Sequence, residues 1–198
     1  MKASFEKFFE EKLRELAKEP RVVDIGGGQP FQKDMAKYRG FFDNVRYETV
    51  DASAQYHPTY IADAHRLPFK DDEIPAIICK SVLEHLEDPK KAAEEMYRVL
   101  KPGGALLLYT HFIYPYHARH GVYKDCFRFT EDGLRYLFRN FSKLEIKKQG
   151  GYFFALMFFL PGQRYLKFAL GPVALLLDKI FSTEKRTTTA GYWLFAPK

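Results

Sequence analysis

The apolar run Val22-Val23-Asp24-Ile25 stops abruptly at Gly26-Gly27-Gly28, and that junction constrains the chain more than any other stretch. A short β-branched run reads as a buried parallel strand, and glycines let the backbone after it turn sharply and approach a ligand closely. The dinucleotide fingerprint needs another glycine where Phe31 stands, and the P-loop lysine is missing. A bound polyphosphate is therefore not expected.

The pattern around this junction alternates. Phe5, Phe8, Phe9, Leu13 and Leu16 fall at helical spacing, predicting an amphipathic helix over residues 4–18 that ends at Pro20. Further strands are expected at 45–50, at a short segment closing on Asp63, at 76–79 with Pro75 at its start, at 105–109, at 144–148 and at 192–196. Helices are expected at 32–38, after Asp88-Pro89 with Ala92, Ala93, Met96, Tyr97 and Leu100 inward, and after Thr130 with Leu134, Leu137, Phe138 and Phe141 inward. Lys101-Pro102-Gly103-Gly104 reads as a turn. Strands alternating with helices predict an α/β fold, an open, doubly wound and mostly parallel sheet with helices on both faces.

In such sheets ligands bind beyond the carboxyl ends of the strands, where the strand order reverses. Asp24, Gly26, Asp51, Asp63, Lys80, Thr110 and His111 all fall at those ends. Asp51 is placed to accept hydrogen bonds from a ribose diol, and Asp63 to take the exocyclic amine of an adenine. Three acids and few phosphate-binding groups point to a nucleoside that carries a cation.

Charge narrows the partners less. The net charge of +6, from 31 basic and 25 acidic side chains, favours anionic partners without choosing among phosphorylated substrate, membrane surface and nucleic acid. Cys79 and Cys126 are the two cysteines, so no disulfide framework exists and a reducing cytoplasm is the expected compartment. Met-Lys-Ala-Ser-Phe-Glu-Lys is charged where a secretory signal is apolar, so export is not expected.

Five ordered stretches then carry a family resemblance. They are Val22 to Gly28, Thr49-Val50-Asp51, Ala62-Asp63-Ala64-His65-Arg66-Leu67-Pro68-Phe69, Ser81-Val82-Leu83-Glu84-His85-Leu86-Glu87-Asp88-Pro89, and Arg98-Val99-Leu100-Lys101-Pro102-Gly103-Gly104. Covering about residues 20–142, they resemble the class I S-adenosylmethionine-dependent methyltransferases, especially the broad small-molecule group called type 11. The resemblance implies a Rossmann-like seven-stranded sheet with an antiparallel last strand. It implies S-adenosylmethionine as cofactor, with Asp24, Gly26, Gly27 and Gly28 against its methionine part. Asp51 and Ala52 would hold the ribose, Asp63 and Ala64 would contact the adenine, and Lys80 would lie beneath. Two departures stand out: Pro75 replaces the family's usual acid early in the fourth strand, and the link from Asp51 to Asp63 is too short for the usual helix.

Methyl transfer from a sulfonium asks mainly for in-line positioning and exclusion of water. A hydroxyl acceptor also gains from a base of near-neutral pKa, which points to histidine. His111 and His117 lie beyond the fifth strand and His85 beyond the fourth, so these three are the candidate catalytic residues. His120 is a further histidine of the same segment. His111, His117, His120 and Cys126 are ligand types, but their spacing fits no familiar zinc pattern, and no metal is expected. Arg128 reads equally as part of a saccharide-associated signature, Tyr114-Pro115-Tyr116-His117 with Asp125 to Thr130, or as an ion-pair partner of Asp125.

One domain is expected: a capping helix over 1–19, the cofactor-binding core over 20–150, an apolar helical insertion over 151–190 and the last strand over 191–198. The two apolar runs of the insertion, 152–160 and 168–177, are each about half of the roughly 20 residues a membrane span needs. The insertion reads as a lid, as a homodimer surface, or as an interfacial hairpin whose Arg164, Lys167, Lys179, Lys185 and Arg186 meet anionic headgroups. The expected activity is methyl transfer to a small or lipid-linked acceptor, with a saccharide oxygen as one candidate. RNA methylation and a non-catalytic S-adenosylmethionine-binding module are the alternatives. Nucleic acid is disfavoured because Asn/Asp-Pro-Pro-aromatic and Pro-Cys motifs are absent. A cytoplasmic protein with membrane association through 151–181 is the expected setting.

Overall fold

The computed structural model describes residues 2–198, with the side chains of 163–169 and 184 outside the description. Seven strands form one sheet: β1 (Arg21–Ile25), β2 (Arg46–Asp51), β3 (Tyr60–Ile61), β4 (Ile74–Lys80), β5 (Leu100–His111), β6 (Glu145–Lys148) and β7 (Gly191–Pro197). Their order is β3-β2-β1-β4-β5-β7-β6. The first five pair parallel, while β7 runs antiparallel to both β5 and β6. The order reverses between β1 and β4, which makes that gap the switch point where a ligand crevice opens.

Helices cover both faces because the strands are apolar on both. On one side α2 (Pro89–Val99) and α3 (Glu131–Leu137) bury Ala92, Ala93, Met96, Leu134 and Phe138 against Val23, Ile77 and Leu106. On the other, α1 (Ser4–Leu16) sets Phe5, Phe9, Leu13 and Leu16 against Val22, Ile78, Trp193 and Phe195. The expected caps form: Asp88 Oδ1 accepts from the Lys91 amide at 3.0 Å, and Thr130 Oγ1 from the Gly133 amide at 3.1 Å.

Four local expectations change. Residues 32–38 belong to a 3₁₀ segment, Lys33–Phe42, instead of an α-helix. It opens on Phe31 and Lys33, both at positive φ (57° and 53°), which tighten the entry. The third strand ends at Ile61, short of Asp63, because pairing with β2 stops where Asp51 meets Ile61. Leu100 leaves α2 and starts β5, though it stays fully buried. The expected turn at Lys101–Gly104 bulges within β5, whose register against β4 jumps between Ile74 and Ala76. Gly103 takes φ +77° there.

The insertion folds as α4 (Tyr152–Met157) and α5 (Gln163–Ile180). Asp178 of α5 is buried and caps the start of α4, accepting from the amides of Gly151 at 2.8 Å, Phe153 at 2.8 Å and Phe154 at 3.2 Å. The Arg164 and Lys167 side chains, expected at a headgroup surface, lie outside the described residues. Among the described residues no helix is long and apolar enough to cross a membrane.

Candidate functional site

A cleft of about 1050 Å³ opens over the switch point. Gly26, Gly27, Asp51, Ala52, Asp63, Ala64 and Lys80 line one end, and His85, His111, His117 and His120 the other, while Gly28 lies behind the lining against Gln32 and Tyr56. Such a volume holds a nucleoside together with a small second molecule.

The glycine loop is built for close approach. Gly26 sits at φ +72°, and a Cβ there would lie 2.2 Å from Val82 Cγ2; one on Gly27 would lie 2.6 Å from Asp24 Oδ2. Any side chain at either position would fill the cradle. Asp24 is buried beneath, and Tyr47 donates to its Oδ2 at 2.6 Å. Burial pushes the Asp24 carboxyl up to about 6, with the Tyr47 hydrogen bond and the Lys80 charge pulling the other way. Lys80, at the end of β4, is ion-paired with Asp34 across the loop.

Asp51 closes β2 half-buried. Its Oδ1 accepts from the Ser53 amide at 2.9 Å, and no protein donor reaches Oδ2 among the described residues. Burial raises its pKa. Asp63 is more exposed, and its Oδ1 takes the His65 amide at 2.9 Å and faces His65 Nδ1 at 2.6 Å. Burial raises the Asp63 pKa, but the His65 hydrogen bonds outweigh it and the net shift is down. The short link after Asp51 forms only a 3₁₀ turn, Ala54–Tyr56. Arg119 donates to Tyr56 Oη at 3.1 Å and covers that side of the cleft.

At the other end the three candidate histidines meet. His117 lies 4.9 Å from His85 and 5.1 Å from His111, ring centre to ring centre. His111 is stacked on Tyr114 at 4.0 Å and its Nδ1 is 3.1 Å from Tyr109 Oη. Burial, then the neighbouring His117 and Arg128, push His111 down to about 3. It is a neutral, weakly basic imidazole, not the near-neutral base its position in the sequence suggests. Burial also lowers His85. His120 lines the cleft, and Cys126 points its Sγ at the His85 carbonyl, 3.8 Å away.

Glu84 is a site residue to which its place in the sequence assigns no role. It is fully buried, its Oε2 accepts from Thr110 Oγ1 at 2.8 Å, and its Oε1 lies 3.4 Å from His111 Nε2. Burial raises Glu84 to about 7. A lone acid in the apolar stretch Val82-Leu83-Glu84 was the available signal. Arg128 takes the ion-pair reading: it grips buried Asp125 with two hydrogen bonds of 2.5 and 2.7 Å and also donates to the carbonyls of Tyr114 and Pro115. It thereby holds Asp125 down to about 2.

An open α/β sheet of this order, with an acid-lined crevice at its switch point, defines a Rossmann-like methyltransferase fold. Residues 31–108 match the methyltransferase domain family. An uncharacterized methyltransferase of Mycobacterium sp. (strain KMS) is 33% identical over 102 residues, 48% of this chain and 40% of that protein. The ubiquinone/menaquinone biosynthesis C-methyltransferase UbiE of Pectobacterium atrosepticum is 36% identical over 76 residues, 38% of this chain and 26% of its own length. The chain therefore spans well under half the length of the curated relatives it matches.

Solved structures share the fold at lower identity. An S-adenosylmethionine-dependent methyltransferase from Archaeoglobus fulgidus superposes with TM-score 0.63 at 13% identity, over 98% of this chain and 93% of that one. Phosphoethanolamine N-methyltransferase 2 of Haemonchus contortus, in complex with S-adenosyl-L-methionine, gives TM-score 0.63 at 15% identity over 97% and 52%. The chain thus resembles the methyltransferase domain family over residues 31–108 and shares the fold of S-adenosylmethionine-dependent methyltransferases along nearly its whole length.

Proposed function

We propose that the cleft binds S-adenosylmethionine and that the protein transfers its methyl group to a small or lipid-linked acceptor. The observation that carries this reading is the half-buried Asp51 carboxylate at the end of β2, opposite a glycine loop whose cradle any Cβ would fill. A carboxylate with a free oxygen suits a ribose diol, and the side-chain-free loop suits the methionine part. When bound, S-adenosylmethionine supplies a methyl group already activated on a sulfonium.

The chain's own residues supply position and enclosure. Gly26, Gly27 and Gly28 receive the methionine part, with Asp24 and Lys80 beneath. Asp51 and Ala52 hold the ribose, and Asp63 and Ala64 border the adenine. His85, His111 and His117 face the acceptor and orient its heteroatom. The test is calorimetry with the purified protein. Binding of S-adenosylmethionine or its demethylated product supports the reading, and no heat from either removes it.

A second reading concerns the insertion, and one observation favours it. Leu156, Phe159, Val173, Leu176, Ile180 and Phe181 are each two-fifths or more exposed and all belong to α4, α5 or the turns beside them. Monomeric soluble proteins rarely leave such apolar side chains clustered on one element. We infer an interfacial hairpin that rests on anionic lipid and presents a lipid-linked acceptor to the cleft. Sedimentation with anionic liposomes at low salt tests it, and protein left wholly in the supernatant would end the idea.

A further inference from the structure

Glu84, His85 and His117 each bring one donor atom within 4.8 Å of the others. The hydrogen bonds around them decide where the protons sit. His85 Nδ1 is 2.6 Å from the Lys124 carbonyl, so Nδ1 carries the hydrogen and Nε2 keeps its lone pair. His117 Nδ1 faces two near acceptors, the Pro115 carbonyl at 3.1 Å and Asp125 Oδ2 at 3.3 Å, with the Arg128 Nη2 donor farther off at 3.5 Å, so it too is assigned as the protonated nitrogen. Glu84 Oε2 is engaged by Thr110, which leaves Oε1.

The atoms left over are unpartnered. Glu84 Oε1 and His117 Nε2 are both buried with no hydrogen-bond partner, and Glu84 is fully enclosed. Buried polar atoms of this kind are rare and call for a ligand. A further bare nitrogen lies alongside: Tyr109 gives its hydroxyl hydrogen to Gln149, so His111 Nδ1 donates to Tyr109 and His111 Nε2 turns its lone pair toward Glu84 Oε1. Imidazole lone pairs thus converge beside the unpartnered Glu84 Oε1.

We propose that Glu84, His85 and His117 form a binding site for a divalent first-row transition metal at the acceptor end of the cleft. Two imidazoles and one carboxylate on one side of an ion leave its other positions open, and imidazole nitrogen suits zinc, copper, iron or nickel better than magnesium, calcium or manganese. The outer partners are those a metal-bound histidine needs: a backbone carbonyl on His85, and a carbonyl and a carboxylate on His117. The Arg128 charge beside the cluster is offset by its ion pair with Asp125. The spacing of His111, His117, His120 and Cys126 gave no hint of this group, since the donors come from two separate segments, after β4 and after β5.

The role of the metal rests on the methyltransferase reading; the site itself does not. His85 and His117 line the cleft, with Glu84 enclosed behind them. An acceptor hydroxyl bound there gives its proton to solvent at lower pH than a free hydroxyl does. Its oxygen then forms the new bond to the methyl carbon, while the carbon–sulfur pair stays on sulfur and leaves a neutral thioether.

The experiment titrates chelator-treated full-length protein with Co²⁺, followed by its visible absorption bands, and with Zn²⁺ by calorimetry. One equivalent of Co²⁺ with ligand-field bands, displaced by Zn²⁺, is expected. His117→Asn and Glu84→Gln weaken binding by roughly a hundredfold, while His57→Asn, outside the cleft, leaves it unchanged. Circular dichroism checks that each variant is folded; should Glu84→Gln not fold, His117→Asn alone decides. Absence of Co²⁺ bands in the wild-type protein, or equal affinity in His117→Asn, overturns the site. Calorimetry with S-adenosylmethionine on the metal-free protein is scored separately. Metal binding without cofactor binding refutes the methyltransferase reading alone, and the converse refutes the metal site alone.

Discussion

Tyr47 donates a 2.6 Å hydrogen bond to Asp24, joining the middle of β2 to a carboxylate that β1 has carried out of water. Burial and the Asp24 charge raise the Tyr47 pKa, so the phenol remains a donor throughout the physiological range. The bond satisfies one oxygen, yet the carboxyl still stands at about 6, above the ordinary value of 3.8.

That displacement fixes a pH dependence. A carboxyl whose pKa rises on folding stabilises the fold below its unfolded pKa and loses that contribution as pH climbs through the folded one. For Asp24 the loss falls between about pH 4 and 6 and amounts to about 3 kcal/mol. Asp24→Asn therefore gains stability relative to the wild type at pH 7.5 but not at pH 4. Urea denaturation of both proteins at the two pH values measures this.

Asp51→Ala removes the carboxylate proposed to hold the ribose. Loss of one or two charged hydrogen bonds lowers affinity for S-adenosylmethionine by roughly tenfold to a hundredfold. The ligand-induced rise in melting temperature shrinks accordingly. An undiminished rise would move the ribose elsewhere.

Asp178→Ala leaves the amides of Gly151, Phe153 and Phe154 and the hydroxyl of Thr183 without their acceptor. Several buried donors stranded together cost about 2 to 4 kcal/mol. The denaturation midpoint should fall to match, and a neutral result would mean that water replaces the carboxylate.

Arg128→Ala exposes a different weakness. It strands buried Asp125 and frees the carbonyls of Tyr114 and Pro115, at a cost of roughly 3 kcal/mol. Trypsin should then cut faster after Arg119 and Lys124, which lie in the segment Arg128 secures. Arg128→Lys should restore little, because an ammonium cannot make the two-pronged grip.

The sheet was legible because β1 and β4 are short apolar runs and because β1 and β2 end on the glycine loop and on Asp51, which mark the cleft. Asp24, Asp51 and the glycine loop could be found that way. Tyr47 could not, since its meeting with Asp24 depends on the β1–β2 register, which sets Asp24 beside Thr49. Glu84 was hidden for a similar reason: its partner Thr110 comes from β5, across the sheet. His111 reads as an ordinary imidazole in the chain, and only its burial, then the neighbouring His117 and Arg128, makes it a weak base. The 3₁₀ segment at Lys33–Phe42 escaped because its amino acids suit either helix type.

Lys148 and Tyr192 stand opposite one another in the β6–β7 ladder, and Gln149 continues it to Gly191. Topologically, then, the two strands are the arms of a hairpin, and α4 and α5 are cargo carried on its tip. A tight turn spliced between the arms would close the same ladder. A shorter or longer insertion can thus sit on these arms without altering the strand order that opens the crevice between β1 and β4.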